Sequence, residues 1–218
     1  MKIDFVSDVS CPWCVVGLKS LEAALARVGN EVAVDIHFQP FELNPQMGPE
    51  GQDIAEHISQ KYGSSAADIG RSQEGLKARG DALGFHFDFQ RRGRIYNTFD
   101  AHRLLHWAAG EDVGKQQALK HALFTAYFTE GRDPSNHDVL VGVAGGVGLD
   151  EGRARQILAS GEFAREVRER EKFYAGLGIH AVPSVIINDR HLIQGGQPPE
   201  VFEQALRQLA KGERNSNT

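Results

Sequence analysis

Residues 7–17 read Ser-Asp-Val-Ser-Cys-Pro-Trp-Cys-Val-Val-Gly, and the fold is read outward from this stretch. Before it, residues 2–7 alternate with Ile3 and Phe5 as apolar positions, the pattern of a short strand. Within it, Pro12 suits the first position of a helix, where a missing N–H forfeits no hydrogen bond. After it, Leu18, Leu21, Leu25 and Val28 recur at spacings of three and four until Gly29-Asn30 ends the run. Residues 32–38 then place Val32, Val34, Ile36 and Phe38 on one face of a second strand. Residues 1–44 therefore predict a strand–helix–strand unit with a right-handed crossover.

Cys11 and Cys14 are the only two cysteines among 218 residues. Two are too few for the disulfide framework of a small secreted domain. A close pair in a reducing compartment points instead to metal binding or catalysis. A zinc site needs four ligands, there is no second CxxC, and the best-spaced histidines, His102 and His106, lack the glutamate of a zincin motif. No metal site is therefore assigned. A buried, inert pair is the other plain reading, and placement directly after a strand and at a helix start argues against it. The helix start favours the thiolate of Cys11, and Cys14 follows one turn deeper. That spacing suits thiol–disulfide exchange, in which one sulfur attacks and the second releases the mixed disulfide.

From Pro45 to Gly178 helical patterns dominate, around 52–62, 65–83, 97–109, 113–129, 136–146, 150–159 and 162–176. Phe85, Phe87 and Phe89 alternate as a strand would, without an obvious partner. After Gly178, Val182-Pro183-Ser184-Val185-Ile186-Ile187 reads as a strand, residues 188–191 as a turn and 192–196 as its return. A last helix starts at Pro198 or Pro199 and faces Val201, Phe202, Ala205, Leu206 and Leu209 inward. By itself Val182-Pro183 is an ordinary strand-leading proline. After a βαβ unit carrying CxxC and before a ββα ending, it reads as a cis bond. The expected class is α/β, βαβ…ββα with a large all-helical insertion: residues 1–44 and 179–214 form one discontinuous domain, 45–178 the insertion and 215–218 a polar tail.

Composition narrows the function. Apolar residues make up 41% and charged residues 24%, ordinary globular usage that excludes a disordered or collagen-like chain. Twenty-four basic against 29 acidic residues give a net charge of −5 without a basic run, so no nucleic-acid partner is expected. No apolar stretch reaches the length of a membrane span. Asp4, Ser7 and Asp8 interrupt what a signal peptide would keep apolar, so a cytoplasmic location is expected.

SDVSCPWCVVG at 7–17, QPFELNP at 39–45, NTFDAHRLLHWA at 97–108, HAVPSVIIN at 180–188 and GGQPPEVFEQAL at 195–206 together resemble the DsbA family of the thioredoxin superfamily. Within it they resemble the FrnE-like branch of cytoplasmic dithiol oxidoreductases, related to 2-hydroxychromene-2-carboxylate isomerases and kappa-class glutathione transferases. The resemblance implies a thioredoxin-like fold and a thiol-disulfide oxidoreductase. Cys11 would be the nucleophile, Cys14 the resolving thiol, and Pro12, Trp13 and Pro183 the residues shaping the site. Val182 would offer its backbone to an extended substrate, with Asn97 and His102 lining the cleft. The implied partners are protein or small-molecule thiols and disulfides. No cofactor is required beyond the redox-active pair, and glutathione is a candidate co-substrate. Two other readings stay open. One is a glutathione-dependent isomerase or transferase of a small aromatic compound, against which the retention of both cysteines speaks. The other is a non-enzymatic redox sensor or chaperone.

Overall fold

The computed structural model describes residues 1–216, the side chains of 113 and 213–216 aside. Lys2–Ser7 forms β1 and Pro12–Val28 forms α1. Cys11 is the extended N-cap of α1 and Pro12 opens its first turn, as the missing proline N–H allows. Asp35–Pro40 forms β2, parallel to β1 with Phe5 opposite Phe38. This strand begins three residues later than the alternation predicts. A 3₁₀ turn at Gly29–Glu31 and the N-terminus intervene: the Met1 ammonium donates to the Ala33 carbonyl at 2.8 Å, and the Asp35 N–H to the Met1 carbonyl at 3.0 Å. Val32 and Val34 still pack against the core, ahead of the ladder.

The insertion opens with Gln52–Asp53 (β3), Ile54–Tyr62 (α2) and Ala66–Ala82 (α3), followed by Arg94–Ile95 (β4). The β3 and β4 segments pair antiparallel over two residues each, a small ribbon that the helical patterns do not foretell. Asp53 caps α2 through the Ala55 and Glu56 amides, and Ser65 with Asp68 makes a capping box at α3. Residues 85–89 pair with no strand among the described residues. Their alternation has another cause: Phe87 stacks on Phe89 at 5.3 Å and meets Phe85 and Phe128 edge-on, so the rings form a knot beneath α3. The helices Phe99–Glu111 (α4), Val113–Phe128 (α5), His137–Gly146 (α6), Glu151–Ala159 (α7) and Ala164–Gly176 (α8) complete the insertion.

Ser184–Ile187 (β5) and His191–Gln194 (β6) form a hairpin that joins the sheet through β1, giving the order β2-β1-β5-β6. Pro199–Ser216 (α9) packs on α1 through Phe202 and Leu206. It runs past the expected start of the polar tail at 215, and residues 217–218 of that stretch lie outside the described residues. Phe124, Tyr127 and Phe128 of α5 share a core with Phe5, Val15 and Leu18, so the insertion and the sheet are one packed body. A second core, built from α4 to α7, encloses Val9 of the turn before the cysteines. The Cys-Pro-Trp-Cys turn thus lies at the seam between the two.

Candidate active site

The turn leading into α1 is held by a buried carboxylate. Asp8 Oδ1 accepts from the Ser10 N–H at 3.0 Å and Oδ2 from the Leu43 N–H at 2.6 Å. The Cys11 N–H donates to the Asp8 carbonyl at 3.3 Å, and the Cys14 N–H to the Cys11 carbonyl at 3.1 Å. Both cysteines are free thiols: Cys11 is 4% exposed and Cys14 is fully buried below it. The Val182–Pro183 bond is cis, and the Cys11 thiol faces the Val182 carbonyl at 3.7 Å. This approach needs glycine twice. A Cβ at Gly17 would lie 2.9 Å from Pro183 Cγ, and one at Gly196 would lie 3.0 Å from the Trp13 ring. Trp13 is exposed, with the Arg79 guanidinium from α3 5.1 Å from its ring centre.

Three further titratable side chains are buried around the pair. His102 Nε2 stands 3.7 Å from Asp8 Oδ1, an ion-pair distance too long for a hydrogen bond. Burial pushes the Asp8 carboxyl up, but His102 and the two backbone amides outweigh it and hold the group well below the ordinary range. Arg92 donates to the Ser10 carbonyl at 3.2 Å and lies 4.7 Å from the ring centres of both Tyr127 and Phe128. Lys120 of α5 is 1% exposed, and burial lowers it to about 8 against the attraction of Cys14, Asp8 and Cys11. Burial also pushes the Cys14 thiol up. Its hydrogen bond and repulsion with Cys11 add to that rise, and Lys120 opposes it. The inner sulfur is therefore a thiol that needs a base or a cation when it acts.

Above Cys11 opens a cavity of about 700 Å³, walled by the 41–44 loop, α2 and α3. Phe41, Leu43, Ile58, Tyr62, Ile69 and Leu76 make most of its surface apolar, and Cys11, Pro12, Trp13 and Val182 form the reactive side. Pro183 stands behind Val182, against Gly17. Asn97 and His102, expected to line this cleft, are one layer behind it. Asn97 Oδ1 accepts from the Phe99 N–H at 2.9 Å at the start of α4, and its Nδ2 donates to Glu42 Oε1 at 3.1 Å. Glu42, which does line the cavity, is also paired with Arg168. His102 lies one turn into α4 on the face turned toward Asp8. Both positions follow from α4 starting at Phe99 after a Thr98 N-cap, which spends the Asn97 side chain on the Phe99 N–H and turns His102 inward.

Asp8, Arg92 and Lys120 carry the buried charge of the site, and none follows from the CxxC pattern. Lys120 had a signal. Leu123, Phe124 and Tyr127 follow it at spacings of three, four and seven and are all buried, so the lysine stands at the head of an apolar stripe. No group of His, Cys, Asp and Glu that could hold a metal exists among the described residues.

Comparison with known proteins agrees with this geometry. Residues 2–207 match the family described as the DSBA-like thioredoxin domain. The crystal structure of a probable DsbA oxidoreductase, SCO1869 from Streptomyces coelicolor, is 35% identical, with a TM-score of 0.90 over 98% of this chain and 91% of that one. The uncharacterized protein YwbO of Bacillus subtilis (strain 168) is 29% identical over 94% of each chain. The cytosolic disulfide reductase DsbM from Pseudomonas aeruginosa, crystallised with GSH, shares the fold at 16% identity, with a TM-score of 0.66 over 97% of this chain and all of that one.

Proposed function

The chain belongs to the family of DSBA-like thioredoxin domains, and from that premise we propose that it exchanges disulfides with thiol substrates through Cys11 and Cys14. In the reducing direction the Cys11 thiolate attacks a substrate disulfide, forms a mixed disulfide and releases one substrate thiolate. Cys14 then loses its proton and attacks the Cys11 sulfur. The second substrate thiolate leaves, and Cys11–Cys14 becomes the disulfide. Two electrons pass to the substrate, and the same steps in reverse oxidise a dithiol. The observation that carries this reading is the arrangement of Cys11 at the cavity floor, within 3.7 Å of the Val182 carbonyl, with Cys14 buried directly beneath.

Each neighbouring group has a part in it. Val182 offers its main chain to an extended substrate, a one-residue strand contact. Lys120 supplies the positive charge that favours the Cys14 thiolate once Cys11 is engaged. Asp8 and Arg92 keep the turn in place from opposite sides, one through N–H groups and the other through the Ser10 carbonyl. The largely apolar walls favour substrates with apolar residues beside the reacting sulfur. The cavity also has room for a tripeptide thiol, so glutathione is the co-substrate we assign, acting in a cytoplasmic thiol pool.

Replacing Cys14 with Ser tests the reading. The variant should accumulate a mixed disulfide between Cys11 and an added disulfide such as oxidised glutathione, visible by intact-mass measurement and removed by dithiothreitol. Absence of any adduct, together with undiminished disulfide reductase activity, would refute it.

A further inference from the structure

A second cavity, of about 260 Å³, lies on the other side of the buried charges, between β2, α4, α5 and α8. It shares no lining residue with the cavity above Cys11. Its walls carry five basic side chains, His37, His102, His106, Lys120 and Arg170, and no carboxylate, in a chain whose net charge is −5. One strand and three helices converge there, and the fixed cations among these side chains, Lys120 and Arg170, give the cavity a positive field with histidine donors around it.

The compensation of these charges is uneven. His37 pairs with Asp35 at 2.8 Å, and His102 faces Asp8 at 3.7 Å. Burial and the neighbouring Arg170 lower the His106 imidazole toward its neutral form, and Glu166 opposes them. Lys120 and Arg170 make no ion pair and no hydrogen bond among the described residues. Lys120 is the more telling of the two, because it is 1% exposed and no acceptor among the described residues lies within hydrogen-bond or ion-pair reach of Nζ: the Phe124 ring centre is 4.9 Å away, and Asp8, Cys11 and Cys14 attract it only from farther off. A buried ammonium without an acceptor is expensive unless something supplies one. The remaining polar side chains of the lining are already engaged: Gln116 bridges the Phe38 main chain and the Leu105 carbonyl at 3.1 to 3.2 Å, and Gln39 donates to Asp4 Oδ1 at 2.6 Å.

We propose that this cavity binds a small doubly charged oxyanion, which Lys120 meets at the buried end and Arg170 at the open end. Two cations without a directly bonded acceptor match two negative charges. The histidines add donors around the rim, and the volume leaves room for the anion's hydration or a small substituent. Lys120 is shared with the thiol chemistry above, but the test does not use the cysteines, so failure of this site and failure of that chemistry are told apart.

The test is titration of the full chain with inorganic phosphate at constant ionic strength, read as melting temperature and by calorimetry, with sodium acetate as the singly charged comparison. Phosphate should raise the melting temperature along a saturating curve, and acetate should not. Arg170→Gln, a change at an exposed position, should weaken phosphate binding about tenfold through loss of a charge-assisted hydrogen bond. Arg155→Gln, outside the cavity and paired with Glu151, should leave binding unchanged. Lys120→Met should abolish saturation altogether. A phosphate response no different from acetate, or an Arg170→Gln protein that titrates like the wild type, would overturn the proposal.

Discussion

Lys120→Met should make the protein more stable, although it removes a charge placed beside the reactive pair. Lys120 is fully buried without a hydrogen bond, and burial lowers it from 10.5 to about 8. At about 1.4 kcal/mol for each tenfold change in proton affinity, that drop corresponds to about 3 kcal/mol. Its sign follows from proton binding. Between pH 8 and 10.5 the unfolded chain still holds the lysine proton while the folded chain has released it, so wild-type stability rises with pH across this window. Below pH 8 both states carry the charge, and the folded state bears the full penalty. Methionine fills a similar volume and has similar helix propensity. In phosphate-free buffer at pH 7, guanidinium unfolding should show Lys120→Met more stable by about 1–3 kcal/mol. The gap should close as pH approaches 10.5. The same variant should release mixed disulfides more slowly, because Cys14 loses the cation that favours its thiolate. A variant less stable than the wild type at pH 7, with a difference that stays flat from pH 8 to 10.5, would refute the reasoning.

Gly17→Ala should destabilise the protein by about 1–3 kcal/mol in urea unfolding, as overpacking of a core does, because the new methyl group meets Pro183 Cγ at 2.9 Å and a proline ring has little freedom to yield. Its disulfide reductase activity should fall as well, since Pro183 follows the Val182 carbonyl that faces Cys11. Glu22 links α1 to α5: burial raises its carboxyl, but His121 at 2.6 Å, Lys19 and Gln117 outweigh this and hold it at about 2. Its contribution is complete above about pH 4.5 and is lost as pH falls toward 2. Glu22→Gln should therefore cost about 1–2 kcal/mol at pH 6, a value discounted for partial exposure, and nothing at pH 2, as acid titration of unfolding midpoints would register. Arg92→Met should leave the Ser10 carbonyl without its donor and lower the rate of mixed-disulfide formation by about tenfold, measured with oxidised glutathione in stopped flow.

The parts of the fold that were legible in the sequence are those in which local pattern and tertiary role coincide. The strand of Ile3 and Phe5, the Pro12 helix start and the β5–β6 hairpin each carry a periodicity that survives packing. Where the two diverge, the pattern misleads. The alternation of Val32 and Val34 is real apolar patterning, but the Met1 main chain occupies the place where a ladder would begin. Phe85, Phe87 and Phe89 alternate because three rings pack on one another and on Phe128, with no strand needed. Asn97 illustrates the same limit at the site. A stretch such as NTFDAH identifies a helix start near the cleft, but the helix begins at Phe99 rather than 97, and that shift of two residues ties the Asn97 side chain to the Phe99 N–H.

The charged layer under the cysteines was illegible for a different reason. Asp8, Arg92, His102 and Lys120 come from four separate segments, and each is an ordinary polar residue in its own window. Their meaning arises only from being buried together, which is a property of the seam between two cores. That seam also explains why the layer is where it is. Asp8 accepts at once from the cysteine turn and from the Leu43 amide in the cavity wall, so one carboxylate couples the position of Cys11 to the shape of the cleft above it. Lys120 lines the second cavity and, from the same position, acts on Cys14. Whatever neutralises Lys120 in that cavity withdraws charge from the Cys14 thiolate, so occupation of one face of the seam must alter reactivity at the other by linkage.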